Sequence, residues 1–193
     1  MTHPFDRLLA NLAERIRAED RAEARDTARL YAAAIGQDHK RANPHVHDTR
    51  IRDCLKALAT PESETVLAAQ PYIPWTFSAV LDPSFDRLGS LFAAASLIGP
   101  GFGIAAENLR AGLFLQFSDQ DYPLHNHSAD ETYHVLAGTG TWQAGETRTQ
   151  HAPGQIIHHP SMLPHALRTN TEPVLAAWRW SGNIDPSTYR LLA

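Results

Sequence analysis

Two histidines and a glutamate stand close together in His125-Asn126-His127-Ser128-Ala129-Asp130-Glu131. Residues two apart on a β-strand point to the same side, so both imidazoles can face a barrel interior and share one ion. A turn at Ser128-Ala129-Asp130 then returns a carboxylate toward them. A third imidazole completes a four-ligand set, and His165 supplies it, with Pro160 and Pro164 stiffening its approach. Three imidazoles and one carboxylate suit a single divalent transition metal ion. Zn, Fe(II), Mn, Co and Ni are not distinguished by these ligands, and coordination positions remain for water or substrate. Tyr133 lies two residues beyond Glu131 and shares its inward face, and Tyr122 lies on the approach to His125, so two phenols stand beside the expected ion. Metal proximity can lower a phenol's pKa far enough to make it a general base. Trp178 and Trp180 share one strand face, where they serve equally as barrel core or as aromatic surfaces for a ligand.

These residues need a scaffold, and the chain changes texture along its length. From Pro4 to Leu58 apolar residues recur at helical spacing: Phe5, Leu8, Leu9, Leu12 and Ile16, then Leu30 and Ala34, then Ile51, Cys54, Leu55 and Leu58. Gly36 and Asn43-Pro44 break this pattern, and Thr60-Pro61 reads as an N-cap with proline in the first turn. Three or four helices are expected. A further helix is read from Asp82-Pro83 through the apolar run that Gly99-Pro100-Gly101 stops. After Gly103 the segments GLFLQFS, ETYHVLAGTGTWQA, GQIIHHP, HALRTN and PVLAAWRW read as short strands separated by turn residues. With no helix between them, they predict an antiparallel sandwich or barrel. The expected fold is mainly β with α: a helical N-terminal region, residues 1–102, packed on a β-barrel, residues 103–193, as one structural unit.

Several classes of function are excluded or set aside. The net charge is −4 and the basic residues are spread, so there is no footprint for a phosphate backbone and no nucleic-acid partner is expected. The longest apolar run, Leu91 to Ile98, is far short of a membrane span. The first residues carry an early acid and no continuous apolar core, and the single cysteine, Cys54, cannot form an internal disulfide, so a cytoplasmic protein is expected. Cys54 reads as a core residue. His45-Val46-His47 reads as surface, His134 as facing outward from the barrel, and His39, His151, His158 and His159 as residues without a chemical role by default, although His158 or His159 could enter the cavity wall. The remaining partner is a small molecule, with the chain a monomer or a homodimer.

From His125 through Glu131 to Gly138 the sequence resembles the first motif of the cupin superfamily, with Asp119 where the pattern opens on glycine. Gly154, Pro160 and His165 fit the second motif, in which Met162 replaces an inner glycine and Asn170 comes one residue late. The resemblance implies a jelly-roll-like cupin β-barrel. The run from Asp121 to Leu136, with Pro164-His165 and the closing Trp178-Arg179-Trp180, is similar to the cupin dimethylsulfoniopropionate lyases, the DddQ group in particular, and so are the helical N-terminal region and the length. That family eliminates dimethyl sulfide from dimethylsulfoniopropionate to leave acrylate. The resemblance implies Tyr133 as general base, with Tyr122 as a second candidate or a substrate-binding residue, and Trp178, Trp180, Tyr122 and Phe117 as aromatic faces for the sulfonium. His125 either binds the ion or lines the site, because Tyr133 can compete for its position. A mononuclear iron cupin dioxygenase and a non-catalytic small-molecule-binding cupin are the alternatives that the same ligand set allows.

Overall fold

The computed structural model describes residues 2–77 and 88–192. Four helices come first: α1 (Pro4–Arg17), α2 (Ala22–Ala33), α3 (Asp48–Leu58) and α4 (Pro61–Ala69). Their ends follow local chemistry. The His3 ring accepts from the Phe5 N–H ahead of α1, and Thr60 and Ser63 form a reciprocal capping box at α4, satisfying N–H groups that have no partner inside the helix. The α1 stripe Phe5, Leu8, Leu9, Leu12 and Ile16 is buried, as its helical spacing requires.

Ten strands follow among the described residues: β1 (Phe92–Ile98), β2 (Leu109–Gln116), β3 (Asp121–Asn126), β4 (Ala129–Ala137), β5 (Gly140–Ala144), β6 (Thr147–His151), β7 (Ile156–His159), β8 (His165–Thr169), β9 (Val174–Gly182) and β10 (Arg190–Leu191). They form two antiparallel sheets in the orders β1-β2-β9-β4-β7 and β10-β3-β8-β5-β6. One apolar core lies between the sheets and includes Phe92, Phe114, Tyr133, Trp142, Trp178 and Trp180. The other lies between the helices and the outer face of the first sheet, where Leu9, Leu12 and Ile51 meet Ala93, Ala95, Leu113 and Leu175. The first sheet is therefore packed against apolar side chains on both faces.

That sandwiching corrects one expectation. The helix read from Asp82-Pro83 onward begins outside the described residues, but Phe92–Ile98 is a strand of the first sheet. All seven of its residues are buried, Ala93, Ala95 and Leu97 toward the helices and Phe92 and Ala94 toward the barrel. A strand covered on both sides shows no alternation, and its continuous apolar run looks like a buried helix. The barrel therefore takes in chain ahead of residue 103. Phe117, expected near a ligand, lies in the helix-side core with the Arg50 guanidinium 3.8 Å above its ring, away from the barrel interior.

A polar clamp joins the two layers. Glu19, in the link between α1 and α2, receives two N–H bonds from Arg179 at 2.6 and 2.7 Å and stands 3.1 Å from His134 Nε2. Arg179 also donates to Thr132 at 3.1 Å. His134 does point out of the barrel, as its alternation with Tyr133 predicts, but the helical layer covers it and it is buried. Burial works to raise the Glu19 pKa, and Arg179 and His134 outweigh it, bringing it to about 2. Of the remaining motifs, Val46 is 75% exposed between half-buried His45 and His47, and Cys54 is half-buried against the helix-side core.

Candidate metal centre

The four expected ligands converge inside the barrel. His125 comes from β3, His127 from the link to β4, Glu131 from β4 and His165 from β8, directly opposite His125 in register. All four are buried, and one ligand atom from each lies within 4.8 Å of the others. Loop backbone holds the two motifs together: the Met162 N–H donates to the His127 carbonyl at 2.8 Å. Met162 and Asp119 both adopt left-handed backbone, φ 63° and 57°. These are two places where the cupin pattern carries glycine, so the chain keeps the turn geometry and changes only the residue.

Each imidazole is oriented by a carbonyl. His125 Nδ1 faces the Pro123 oxygen at 2.8 Å, His127 Nδ1 the Ala129 oxygen at 3.1 Å and His165 Nδ1 the Leu163 oxygen at 2.8 Å. A carbonyl can only accept, so each ring carries a proton on Nδ1, which in the neutral ring leaves the lone pair on Nε2. Glu131 Oε2 stands 3.3 Å from His127 Nε2 and 3.0 Å from His165 Nε2. The second approach is short yet lacks hydrogen-bond alignment, leaving His165 Nε2 without a hydrogen-bond partner. Lone pairs facing a buried carboxylate repel it unless a cation lies between them, so the donor set fits a divalent metal ion. Carbonyl-held Nδ1–H groups are the usual outer support of metal-binding histidines. Burial and the neighbouring His165 push His125 well below its ordinary value, so its ring is neutral and able to ligate.

Aromatic side chains surround this cluster. Burial first, then the neighbouring Glu131 carboxylate, raises the Tyr133 pKa well above the ordinary phenol value. Tyr122 is raised likewise, chiefly by burial, and its ring stacks on His125 at 4.3 Å. Trp180 donates its indole N–H to Glu131 Oε1 at 2.7 Å and packs on His127 at 4.2 Å, while Trp178 donates to the Leu113 carbonyl at 3.1 Å. Both tryptophans lie on the inner face, 6.1 Å apart.

Sequence reasoning gave no role to four neighbours. Tyr189, just after the C-terminal 3-10 turn, stacks on His125 at 4.9 Å and donates to the Tyr122 hydroxyl at 3.0 Å. Nothing around Asp185-Pro186 signals this, because it depends on where the chain end folds back. Phe92 and Phe114 lie 4.7 and 5.8 Å from Tyr122, and the first was hidden in the run taken for a helix. His159 pairs with Glu131 across β4 and β7, shares its inward face, and stacks parallel on His165 at 4.3 Å. The alternation of Ile157 and His159 in β7 was the available signal.

Two antiparallel sheets enclosing an inward-facing His/Glu cluster define a cupin barrel carrying a cluster able to hold a metal ion. The chain belongs to the family described as "Dimethlysulfonioproprionate lyase", the dimethylsulfoniopropionate (DMSP) lyases, whose family model matches residues 5–176. Among relatives, it is 36% identical over 105 residues to the dimethylsulfoniopropionate lyase DddQ of Ruegeria pomeroyi, an alignment that spans 52% of each chain. It thus matches about half the length of that curated relative. The crystal structure of DMSP lyase DddQ from Ruegeria pomeroyi DSS-3 superposes with a TM-score of 0.70 at 24% identity, covering 97% of this chain and 95% of that one. A chain from the crystal structures of the DMSP lyases RdDddP and RnDddQII gives a TM-score of 0.71 at 22% identity, covering 98% and 100%. These likenesses extend the shared fold through the helical layer as well as the barrel. No helix among the described residues is long and apolar enough to cross a membrane.

Proposed function

We propose that this protein is a metal-dependent carbon–sulfur lyase that cleaves dimethylsulfoniopropionate to dimethyl sulfide and acrylate. The observation that carries this reading is the buried set His125, His127, Glu131 and His165, with one ligand atom of each within 4.8 Å of the others, in a chain of this family. The four residues would hold one divalent transition metal ion. When bound, such an ion supplies Lewis acidity to the substrate carboxylate and draws down the pKa of a nearby phenol.

Tyr133 serves as the general base, removing the proton alpha to the carboxylate. The electron pair of that C–H bond forms the alkene as the β-carbon–sulfur bond breaks, and sulfur departs with its bonding pair as neutral dimethyl sulfide, needing no acid. Support for Tyr133 is its place on the inward face of β4 two residues from Glu131, close enough to feel that carboxylate's charge. Tyr122 is the second candidate and otherwise lines the substrate site. The sulfonium offers no hydrogen-bond donor and prefers aromatic faces, each contributing roughly 0.5–2 kcal/mol. Trp178, Trp180 and Tyr122 offer them, and Phe92 and Phe114 beside Tyr122 extend the same surface. A cytoplasmic site of action is part of this reading, supported by the unpaired Cys54 and tested by cell fractionation.

Purified protein loaded in turn with Fe(II), Mn, Co, Ni and Zn is expected to release dimethyl sulfide into the headspace from dimethylsulfoniopropionate with at least one metal. Release with none of them would overturn the proposal.

A further inference from the structure

His159 is 0% exposed, and neither of its ring nitrogens has a hydrogen-bond partner. Among the described residues the other buried unpartnered atoms leave their side chains with a single orphan each, so the doubly orphaned imidazole is set apart. Buried polar groups in folded proteins are nearly always satisfied, and one left without any partner works against the fold. An imidazole in either protonation state keeps at least one N–H, which needs an acceptor. The position of His159 indicates where that acceptor lies. It pairs with Glu131 in register, so both side chains project into the barrel, and its ring lies parallel to His165 at 4.3 Å with a 10° tilt. The Tyr133 ring meets it edge-on at 6.1 Å. A donor thus lies beside both the proposed ligands and the proposed base, and it is not one of the four converging residues.

We propose that His159 is a substrate-binding residue whose ring N–H donates to the carboxylate of the substrate. This rests on the lyase reading for the identity of the substrate. The chemistry selects the end of the molecule: a sulfonium has no acceptor atom, whereas a carboxylate offers two oxygens. One carboxylate oxygen held by His159 orients the alpha carbon toward Tyr133, and the second nitrogen of the ring is left for water.

The test compares the metal-loaded wild type with His159→Phe, His159→Leu and His159→Gln, the last retaining an N–H donor. Elemental analysis is expected to find the same metal content in all four. KM for dimethylsulfoniopropionate in the Phe and Leu variants is expected to rise about tenfold or more, as losing a hydrogen bond to a charged group does, with the larger change in KM than in kcat. Calorimetric binding of acrylate should weaken by a similar factor, and His159→Gln should recover most of both. KM and acrylate affinity within about twofold of wild type in the folded Phe or Leu variant would overturn the assignment, since that is far below one charged hydrogen bond. Loss of metal from those variants would also overturn it, placing His159 among the ion's supports instead. Wild-type protein that binds acrylate through His159 but releases no dimethyl sulfide would remove the lyase reading and leave the carboxylate site standing.

Discussion

Trp180 holds one oxygen of Glu131 through its indole N–H at 2.7 Å, while the other oxygen of the same carboxylate faces His127 and His165. The carboxylate is thereby fixed with one lone-pair edge turned toward the ligand cluster. Trp180→Phe keeps the ring against His127 and removes the donor. Losing such an outer support is expected to weaken metal affinity about 10- to 100-fold, measured by chelator competition. Unchanged affinity would mean that packing alone orients Glu131.

Tyr133→Phe removes the phenol and little volume. It is expected to retain metal by elemental analysis and to lose turnover by about 10²- to 10⁴-fold, the contribution of one general base. Tyr122→Phe breaks the hydrogen bond with Tyr189 and is expected to cost less. The reverse order of losses would transfer the base to Tyr122.

The ligand set was legible because its information is local. His125 near the end of β3, His127 in the link and Glu131 near the start of β4 lie within seven residues of chain, so their spacing groups them before any tertiary contact is known. His165 needed the second motif, since only the pairing of β3 with β8 brings it opposite His125. What sequence concealed depends on layers and registers. Phe92–Ile98 lost its alternation because helices cover the sheet's outer face. His134 was read outward correctly, yet its buried partner Glu19 lies 115 residues away and has no signal in β4 itself. His159 and Tyr189 reach the site through the β4–β7 register and the folded-back chain end, neither of which a motif encodes.

Because the proposed ligands come from separate elements, an ion bridging them should stabilise the fold. Free metal at about 100 times its Kd adds roughly 2.7 kcal/mol, which in a domain of this size raises Tm by roughly 5–10 °C. Thermal melts with and without chelator are expected to show that difference. In His127→Ala and Glu131→Ala it should vanish together with the bound metal. A chelator-insensitive wild-type Tm would count against a structural contribution from the ion.

The clamp between the layers predicts a pH dependence. Glu19 is only 6% exposed and its pKa falls from 4.5 to about 2 on folding, held down by Arg179 and His134 against the effect of burial. A depressed carboxylate stabilises the fold fully above its unfolded pKa, and that stability is lost as pH falls through 4.5 toward about 2. At about 1.4 kcal/mol per unit, the contribution near neutral pH is roughly 3 kcal/mol. Glu19→Gln removes the titration and leaves the Arg179 guanidinium buried against a neutral amide, a loss on the order of 3–5 kcal/mol at pH 7. Urea unfolding of both proteins is expected to show a gap that narrows by about 2 kcal/mol between pH 7 and pH 3, because by pH 3 wild type has given up most of the linkage that the variant never had. A gap of equal size at both pH values would show that Glu19 joins the helices to β4 and β9 by packing, with its charge contributing nothing.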